Sequence, residues 1–287
     1  MMRPNVQPFF DPATSTVTYL VSDPATGVAA IVDPVLDYEP RGAKISTVSA
    51  DKVLEAVRAQ GLSLEYVLET HAHADHLSAA DLIRRRTGAK IVIGDHIGEV
   101  QQHFREVFAA YDVVPDGRAF DRLVADGDTL PLGEGSIGVM HTPGHTAACV
   151  TYVVADVAFV GDTLFMPDYG TARTDFPGGD AAMLYRSIRR ILDLPADTRI
   201  FVGHDYLPEG RNSFAWETTV AEERARNIHM HDGVNEEEFV ERRRARDATM
   251  APPVLILPSL QMNIRAGALP PPDPNGRVYL RLPVTLA

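Results

Sequence analysis

Three histidines and one aspartate occur within six residues of the chain, in the segment His-Ala-His-Ala-Asp-His at 71–76. Imidazole is costly to bury without a partner, so this density indicates a site rather than a packed core. His71 and His73 would share one face of an extended segment, and the next turn would bring Asp75 and His76 around the same cavity. Imidazole nitrogens and carboxylate oxygens are metal ligands, so the segment predicts a metal centre.

Three more candidate ligands each follow an apolar, strand-like run. His145 lies in the turn Thr-Pro-Gly-His-Thr, and Asp162 and His204 each follow a Phe-Val-Gly sequence. Side chains at strand ends in an open sheet gather at one rim, so these residues and the cluster at 71–76 are expected to surround one cavity. Residue types alone leave open whether the seven candidates hold one metal ion or two.

The elements that must position these residues alternate between strands and helices. Apolar spacing predicts helices near 50–60, 79–86, 100–108, 180–192, 217–228 and 235–248, the last with an Asn235/Glu238 capping pair. The tetrapeptide Asp-Pro-Ala-Thr predicts turns at 11–14 and 23–26, and a strand-like run is expected at 277–283.

This order of elements predicts the fold class and the domain limits. Two strand-rich halves with helices between them predict an α/β (α+β) fold, a four-layer αββα sandwich. We expect the catalytic domain to span residues 1–215. Residues 216–287 are expected to form a short helical and proline-rich appendage packed on the same domain.

Composition excludes several classes of protein. The chain has 287 residues, of which 45% are apolar and 23% charged, with a net charge of −12 and a single cysteine. The acidic balance argues against nucleic acid, which requires a basic surface. No apolar run is long enough to span a membrane, and no export signal is recognisable. With one cysteine there is no disulfide framework, so a reducing, cytoplasmic location is expected.

Four motifs in order, THAHADH, TPGHT, GDTLF and GHDY, resemble the metallo-β-lactamase superfamily over roughly residues 10–215. Within it, ARTDF at 172–176 and GHDY followed by TTVAEERARN resemble the persulfide dioxygenases. The run LPSLQMNIRAGALPPPDPNG resembles a bacterial branch of those enzymes. The resemblance implies the metallo-β-lactamase sandwich.

The resemblance also implies two ways of loading the site. In persulfide dioxygenases one Fe(II) would bind the positions that match His71, His145 and Asp162, a facial triad with three open coordination positions. The other members of the set would then orient ligands and water through hydrogen bonds and take part in catalysis; they are His73, Asp75, His76 and His204. Superfamily hydrolases instead divide the same residues between two zinc ions.

Three further residues are candidates for substrate binding, mostly by resemblance. Arg173 is expected to bind a carboxylate of a glutathione-like substrate through its planar guanidinium; a salt bridge with Asp175 or Asp180 is the alternative. Tyr206 is a candidate to donate its hydroxyl to substrate or to a ligand, and His229 to reach the polar end of the thiol. Packing or solvation explains these two residues as well.

The leading hypothesis is an iron(II) dioxygenase that oxidises glutathione persulfide, or another small persulfide, with O2 to sulfite and thiol. The alternative is a dinuclear zinc thioesterase of the glyoxalase II type, whose basic C-terminal glutathione anchors have no lysine counterpart here. A nuclease is disfavoured by the acidic charge, and a closed structural metal site by the number of ligands. The apolar, proline-rich tail and the family resemblance favour a homodimer or homotetramer.

Overall fold

The computed structural model describes residues 3–284. The first half of the chain contains β1 (Asn5–Asp11), β2 (Thr16–Ser22), β3 (Val28–Val32), β4 (Val35–Glu39), β5 (Lys44–Ser46), α1 (Val48–Ala59), β6 (Ser63–Leu68), β7 (Leu77–Ser78), α2 (Ala80–Thr87), β8 (Lys90–Gly94), α3 (Ile97–Val107) and β9 (Arg122–Val124). The second half contains β10 (Thr129–Leu132), β11 (Gly135–His141), β12 (Val150–Val154), β13 (Val157–Phe159), α4 (Ala181–Leu192), β14 (Arg199–Phe201), β15 (Glu217–Thr219), α5 (Val220–Arg226), α6 (Glu236–Asp247) and α7 (Ile256–Asn263).

Two six-stranded sheets form the middle of the molecule. The first has the order β1-β2-β3-β6-β8-β9 and the second the order β10-β11-β12-β13-β14-β15, while β4 pairs with β5 and β7 in a small third sheet. Strands β3, β6, β8 and β9 run parallel to one another, because helices connect them; the second sheet is antiparallel except for β13 and β14.

Apolar side chains fill the space between the two sheets. Tyr19 of the first sheet packs on Phe159 and Phe201 of the second, with ring centroids 5.3 Å apart in both pairs. Side chains alternate along a strand, so Leu68 joins this inner core, whereas its neighbour Val67 packs beneath the helices on the outer face. Each strand of a sheet covered on both faces therefore needs apolar residues at consecutive positions.

Helices cover the outer face of each sheet. Helices α1, α2 and α3 pack on the first sheet, and α4, α5 and α6 pack on the second. Helix α4 is strongly amphipathic, with Leu184, Ile188 and Ile191 buried at helical spacing, and Asp180 accepts a hydrogen bond from Met183 N at its start. The αββα sandwich predicted from the sequence is confirmed.

Both Asp-Pro-Ala-Thr segments form the turns predicted for them. The Asp11 carboxylate accepts hydrogen bonds from the backbone N–H and hydroxyl of Thr14, closing the β1–β2 hairpin. Asp23 does the same for the β2–β3 hairpin with Ala25 N–H and the Thr26 hydroxyl. Such local side-chain bonds are the reason that aspartate favours turns.

The C-terminal part differs from the sequence prediction in three places. The segment predicted as helical at 217–228 begins with strand β15, which pairs with β14, and its helix starts only at Val220. Residues 277–283, predicted as strand-like, have no regular secondary structure and join no sheet. Helix α7 was not predicted, because Pro258 and the surrounding mixed residues give no clear helical period.

The residues beyond the predicted boundary at 215/216 are continuous with the sandwich. Strand β15 completes the second sheet, α6 packs on α4, and α7 packs on β7 beside the histidine segment. Asn235 caps α6 by accepting a hydrogen bond from Glu238 N at 2.9 Å, as its sequence predicts. In the described part of the chain, no helix combines the length and apolar character needed to cross a membrane.

Candidate metal centre

The seven candidate ligands lie at one edge of the two sheets. The segment 71–76 follows β6, His145 lies between β11 and β12, and Asp162 and His204 follow β13 and β14. Only Asp75 is half-buried; the other six side chains are buried. The first sheet therefore supplies four of the candidates and the second sheet supplies three, and all face each other across the gap between the layers.

Three of them form one compact group. The ligand atoms of His71, His145 and Asp162 lie within 4.8 Å of one another. Asp162 Oδ2 is 3.9 Å from Nε2 of His71 and 3.7 Å from Nε2 of His145. Two imidazoles and one carboxylate at these separations match a two-histidine, one-carboxylate metal site with open positions.

Hydrogen bonds present the correct nitrogen of His71. The Thr70 hydroxyl donates to Asp33 Oδ2 at 2.8 Å, so it accepts from His71 Nδ1 at 3.0 Å. This contact places the proton on Nδ1 and leaves the Nε2 lone pair free for a metal ion. Burial, followed by the charge of His73, lowers the pKa of His71 well below its usual value, so the ring is neutral near pH 7.

His145 is held in the same tautomer by a backbone group. Its Nδ1 donates to the carbonyl oxygen of Arg173 at 2.8 Å, which leaves Nε2 facing Asp162. The aromatic ring of Phe176 lies edge-on to the imidazole with centroids 5.2 Å apart. The segment ARTDF thus contacts a metal ligand directly, through a main-chain carbonyl and an aromatic side chain.

A second group lies on the other side of Asp162. The ligand atoms of His73, Asp75, His76 and His204 also lie within 4.8 Å of one another. His204 Nε2 is 3.1 Å from Asp75 Oδ2 and 3.3 Å from Asp162 Oδ1. Burial opposes a charge on His204, but the carboxylates of Asp162 and Asp75 prevail and raise its pKa. His204 Nε2 is therefore within ion-pair distance of both aspartates, without the geometry of a hydrogen bond to either.

His73 belongs to a third, fully buried group. Its Nε2 lies 3.0 Å from Asp33 Oδ1 and 3.4 Å from Glu69 Oε2, although the angles are not those of hydrogen bonds. Burial opposes protonation of His73, yet the two carboxylates raise its pKa well above the usual value. The pair of acidic residues thus holds this imidazole by charge.

Unpartnered polar atoms indicate that the centre is built for metal. His71 Nε2, His204 Nε2 and Asp162 Oδ1 are buried and have no hydrogen-bond partner, and the same is true of Asp75 Oδ2 and His76 Nε2. A buried polar group without a partner costs about 1–3 kcal/mol, so five in one place require a compensating ligand. All five are nitrogen or carboxylate oxygen atoms that can coordinate a metal ion, and they fit the metal site expected from the sequence.

Sequence reasoning missed Asn263 at the end of α7. Its side-chain N–H2 donates to the carbonyl oxygens of His73 and His76, at 2.8 Å each, and its oxygen accepts from Ser78 N at 2.9 Å. The side chain is 4% exposed. One amide therefore fixes the backbone on both sides of the histidine segment. No motif or period marks Asn263, because its partners are main-chain groups nearly two hundred residues away.

We expect Asn263→Ala to weaken metal binding by about 10–100-fold, as loss of residues that orient ligands typically does. The variant leaves two carbonyls and one N–H of the segment without partners. Chelator competition on the purified protein measures the change. Gln261→Ala is the matched control, because Gln261 lies on the same helix and is equally buried but bonds Arg281 and Leu257. Equal losses in the two variants would mean that α7 acts only through its general packing.

A cavity of about 540 Å³ opens from the metal centre to the surface. Asp75, His145 and Asp162 form its inner end. The wall is completed by Phe165, Tyr169, Thr171, Ala172, Arg173, Phe176, Tyr206, Arg243, Arg246, Met250, Ala251, Pro253, Val254 and Leu255, together with Tyr38, Pro40, Ala74 and residues 13–15. The volume lies in the range of small-molecule sites.

Arg173 lines the cavity, but its side chain is already bound. The guanidinium donates to both carboxylate oxygens of Asp175, at 2.6 and 2.7 Å, and to the Ala251 carbonyl at 2.7 Å. It also lies over the ring of Phe176, 5.2 Å from the centroid. These contacts match the salt-bridge alternative, and tie the ARTDF segment to the loop that follows α6.

The two other candidate substrate residues occupy different environments. Tyr206 lines the cavity and its ring stacks on His204 with centroids 5.5 Å apart. His229 is not among the cavity residues; it lies behind Thr171, and its Nδ1 accepts a hydrogen bond from Thr171 N at 3.1 Å. Burial lowers the pKa of His229 to about 4, so the ring is a neutral acceptor. A role for His229 in substrate binding stays a prediction.

The fold and the metal centre place the chain in a known family. The chain belongs to the metallo-beta-lactamase superfamily, whose family model matches residues 11–204. All seven candidate ligands lie within the matched residues, whereas Asn263, α6 and α7 lie beyond them.

The similar proteins carry several functional names. A probable metallo-hydrolase of Burkholderia pseudomallei is 53% identical over 97% of this chain and 98% of its own length. A beta-lactamase hydrolase-like protein of Agrobacterium fabrum is 50% identical over 98% of this chain, which spans 65% of that longer protein. The mitochondrial persulfide dioxygenase ETHE1 of Homo sapiens is 34% identical, over 80% of this chain and 77% of its own length. The crystal structure of ETHE1 from Myxococcus xanthus matches with a TM-score of 0.73 and 31% identity, covering 92% of this chain and all of that one.

Proposed function

We propose that this protein is an iron(II)-dependent dioxygenase that oxidises a low-molecular-weight persulfide, glutathione persulfide in the first instance, with O2. The observation that carries the proposal is the compact group of His71, His145 and Asp162 at the inner end of an open cavity. The similarity to persulfide dioxygenases from Homo sapiens and to the Myxococcus xanthus structure supports it.

The reaction is RSSH + O2 + H2O → RSH + SO3²⁻ + 2H⁺. The persulfide loses four electrons overall and O2 accepts four. The S–S bond breaks, the inner sulfur leaves as the thiol, and the third oxygen of sulfite comes from water. Iron, when bound, supplies the redox chemistry that zinc lacks, and a three-ligand site leaves positions for both substrates.

The residues of the chain then hold and orient the reactants. Thr70 and the Arg173 carbonyl keep the two ligand imidazoles in the Nε2-free form. Asp75, which pairs with His204, lines the cavity beside Asp162, where the pair can accept and return a proton as sulfite forms. Phe165, Tyr169 and Tyr206 form an aromatic wall of the cavity. This wall limits the access of water to the inner end, where the persulfide sulfur would lie.

The second candidate function is a dinuclear hydrolase of the glyoxalase II type with two zinc ions. The group formed by His73, Asp75, His76 and His204 favours it, because four ligands beside the first group could hold a second ion. The contacts of His73 Nε2 with the carboxylates of Asp33 and Glu69 disfavour it, since this nitrogen already faces two acidic groups.

Metal analysis together with an oxygen electrode tests the proposal. We expect close to one iron per chain and O2 uptake with glutathione persulfide, with sulfite and glutathione formed in equal amounts. Two zinc ions per chain, thioester hydrolysis and no O2 uptake would establish the hydrolase instead.

Size-exclusion chromatography with light scattering tests the homodimer or homotetramer expected from the sequence, which stays a prediction.

A further inference from the structure

Within the part of the chain that the structure describes, three arginines line the cavity, and two of them have their charge balanced by a neighbouring carboxylate. Arg173 forms a bidentate ion pair with Asp175. Arg243 is 3% exposed, pairs with Asp247 at 2.6 Å and donates to the Thr171 carbonyl at 3.1 Å. Both side chains are part of the cavity wall. Because each forms a neutral ion pair with an aspartate, neither provides an unpaired positive charge for an incoming anion.

Arg246 is different. It lies one helical turn after Arg243 on α6, lines the same cavity, and has no carboxylate within ion-pair distance among the described residues. Its guanidinium lies over the ring of Tyr169, 5.8 Å from the centroid, and also interacts with the Tyr169 hydroxyl. These contacts orient the side chain, and because a guanidinium has five N–H groups, others remain to donate to a ligand. A guanidinium edge matches a carboxylate in planar, two-pronged geometry.

A row of neighbouring aromatic rings connects Arg246 with the metal centre. Tyr169 lies against Tyr206 with centroids 4.9 Å apart, and Tyr206 lies against His204 at 5.5 Å. Arg246 is therefore at the far end of the wall from Asp75 and Asp162. A substrate that spans the cavity must place its reacting end at the metal and its other end beside Arg246.

We propose that Arg246 is the residue that binds the carboxylate of the substrate, in place of Arg173. This proposal rests on the proposed function and narrows its substrate class to persulfides of thiols that carry a carboxylate several bonds from the sulfur, such as glutathione. In a chain of net charge −12, Arg246 is the one cavity cation without a carboxylate partner among residues 3–284, so it determines where a carboxylate of the substrate can bind. Met250, Pro253 and Leu255 form an apolar wall for the intervening atoms.

The test compares Arg246→Ala with Arg244→Ala. Arg244 lies on the same helix, is exposed, and is not among the residues of the cavity, so its loss changes the net charge equally. With glutathione persulfide, we expect Arg246→Ala to raise KM about tenfold and to leave kcat nearly unchanged, the effect of one lost charge-assisted hydrogen bond that binds substrate and transition state alike. Arg244→Ala should match the wild type.

A second experiment changes the substrate instead of the protein. In the persulfide of glutathione diethyl ester both carboxylates are esterified, so no carboxylate can bind Arg246. The wild type should show the raised KM with this ester, and Arg246→Ala should add no further increase, because the interaction is already absent. Equal KM values for wild type and Arg246→Ala with glutathione persulfide would overturn the proposal. So would an equal increase in Arg244→Ala.

Equilibrium binding of glutathione itself, measured by calorimetry on the purified proteins, separates this proposal from the proposed function. A Kd about tenfold weaker in Arg246→Ala but not in Arg244→Ala supports the carboxylate site even where no persulfide is oxidised. Absence of persulfide oxidation in the wild type refutes the dioxygenase alone. Absence of a difference in Kd, or of glutathione binding by the wild type, refutes the role of Arg246.

Discussion

The His71→Ala variant is expected to be purified without metal and without activity, whereas His204→Ala keeps its single iron ion. His71 is one of only three ligands in the compact group, so its loss leaves His145 and Asp162, too few to hold the ion. His204 contacts Asp162 but belongs to the neighbouring group, so its removal is expected to cost about 10–100-fold in activity at unchanged stoichiometry.

Metal content per chain, after growth with iron and zinc both supplied, decides between one ion and two. A dinuclear centre makes His204 a direct ligand of the second ion. The His204→Ala protein would then contain one ion where the wild type contains two, and the single-iron proposal would be wrong. His103→Ala is a suitable control for the loss of a histidine, because His103 is on α3, remote from the centre and outside every group of candidate ligands.

The second large effect is expected at Gly144, in the turn that delivers His145. The residue has a φ of +134°, and a Cβ at this position would lie 2.3 Å from the backbone nitrogen of Leu184 and 2.4 Å from its Cα. Both atoms belong to helix α4, which cannot move aside without separating from the second sheet. Gly144→Ala is therefore expected to lower the free energy of unfolding by more than about 4 kcal/mol, the range of severe core defects.

The Gly233→Ala variant is the control that distinguishes the steric clash with α4 from the cost of a positive φ. Gly233 also has a positive φ, +101°, but a Cβ there would meet no atom within 4 Å. Its replacement should cost only the left-handed backbone penalty, about 1–2 kcal/mol. Denaturant unfolding of the two variants and the wild type measures both effects. Similar losses in the two variants would show that the turn can shift away from α4.

The sequence predicted that the candidate ligands would lie together, because the residues concerned follow the ends of strands. Strand ends of one sheet converge wherever the sheet lies, so His145, Asp162 and His204 could be assigned to one rim without knowledge of the layers. The αββα order followed from the same alternation of apolar periods. These features depend on local pattern and on the general geometry of sheets.

The features that the sequence could not reveal depend on contacts between distant main-chain groups. Arg173 was expected to act through its side chain, yet its carbonyl bonds His145 while its guanidinium is bound by Asp175. Asn263 bonds two carbonyls of the histidine segment. Every residue has a main-chain carbonyl whatever its side chain, so no pattern of residue types could predict either contact. The sequence did not single out Arg246, because only the structure places it at the cavity.

The division of the ligands between the two sheets makes the metal ion a removable cross-link. His71 is on the first sheet, and His145 and Asp162 are on the second, so a bound ion joins the two layers at their open edge. The unfolded chain cannot assemble this set, and the free energy of binding is therefore added to the free energy of folding. Global stability then increases with the logarithm of the free metal concentration. The lifetime of the folded chain is thereby tied to the metal supply of its surroundings.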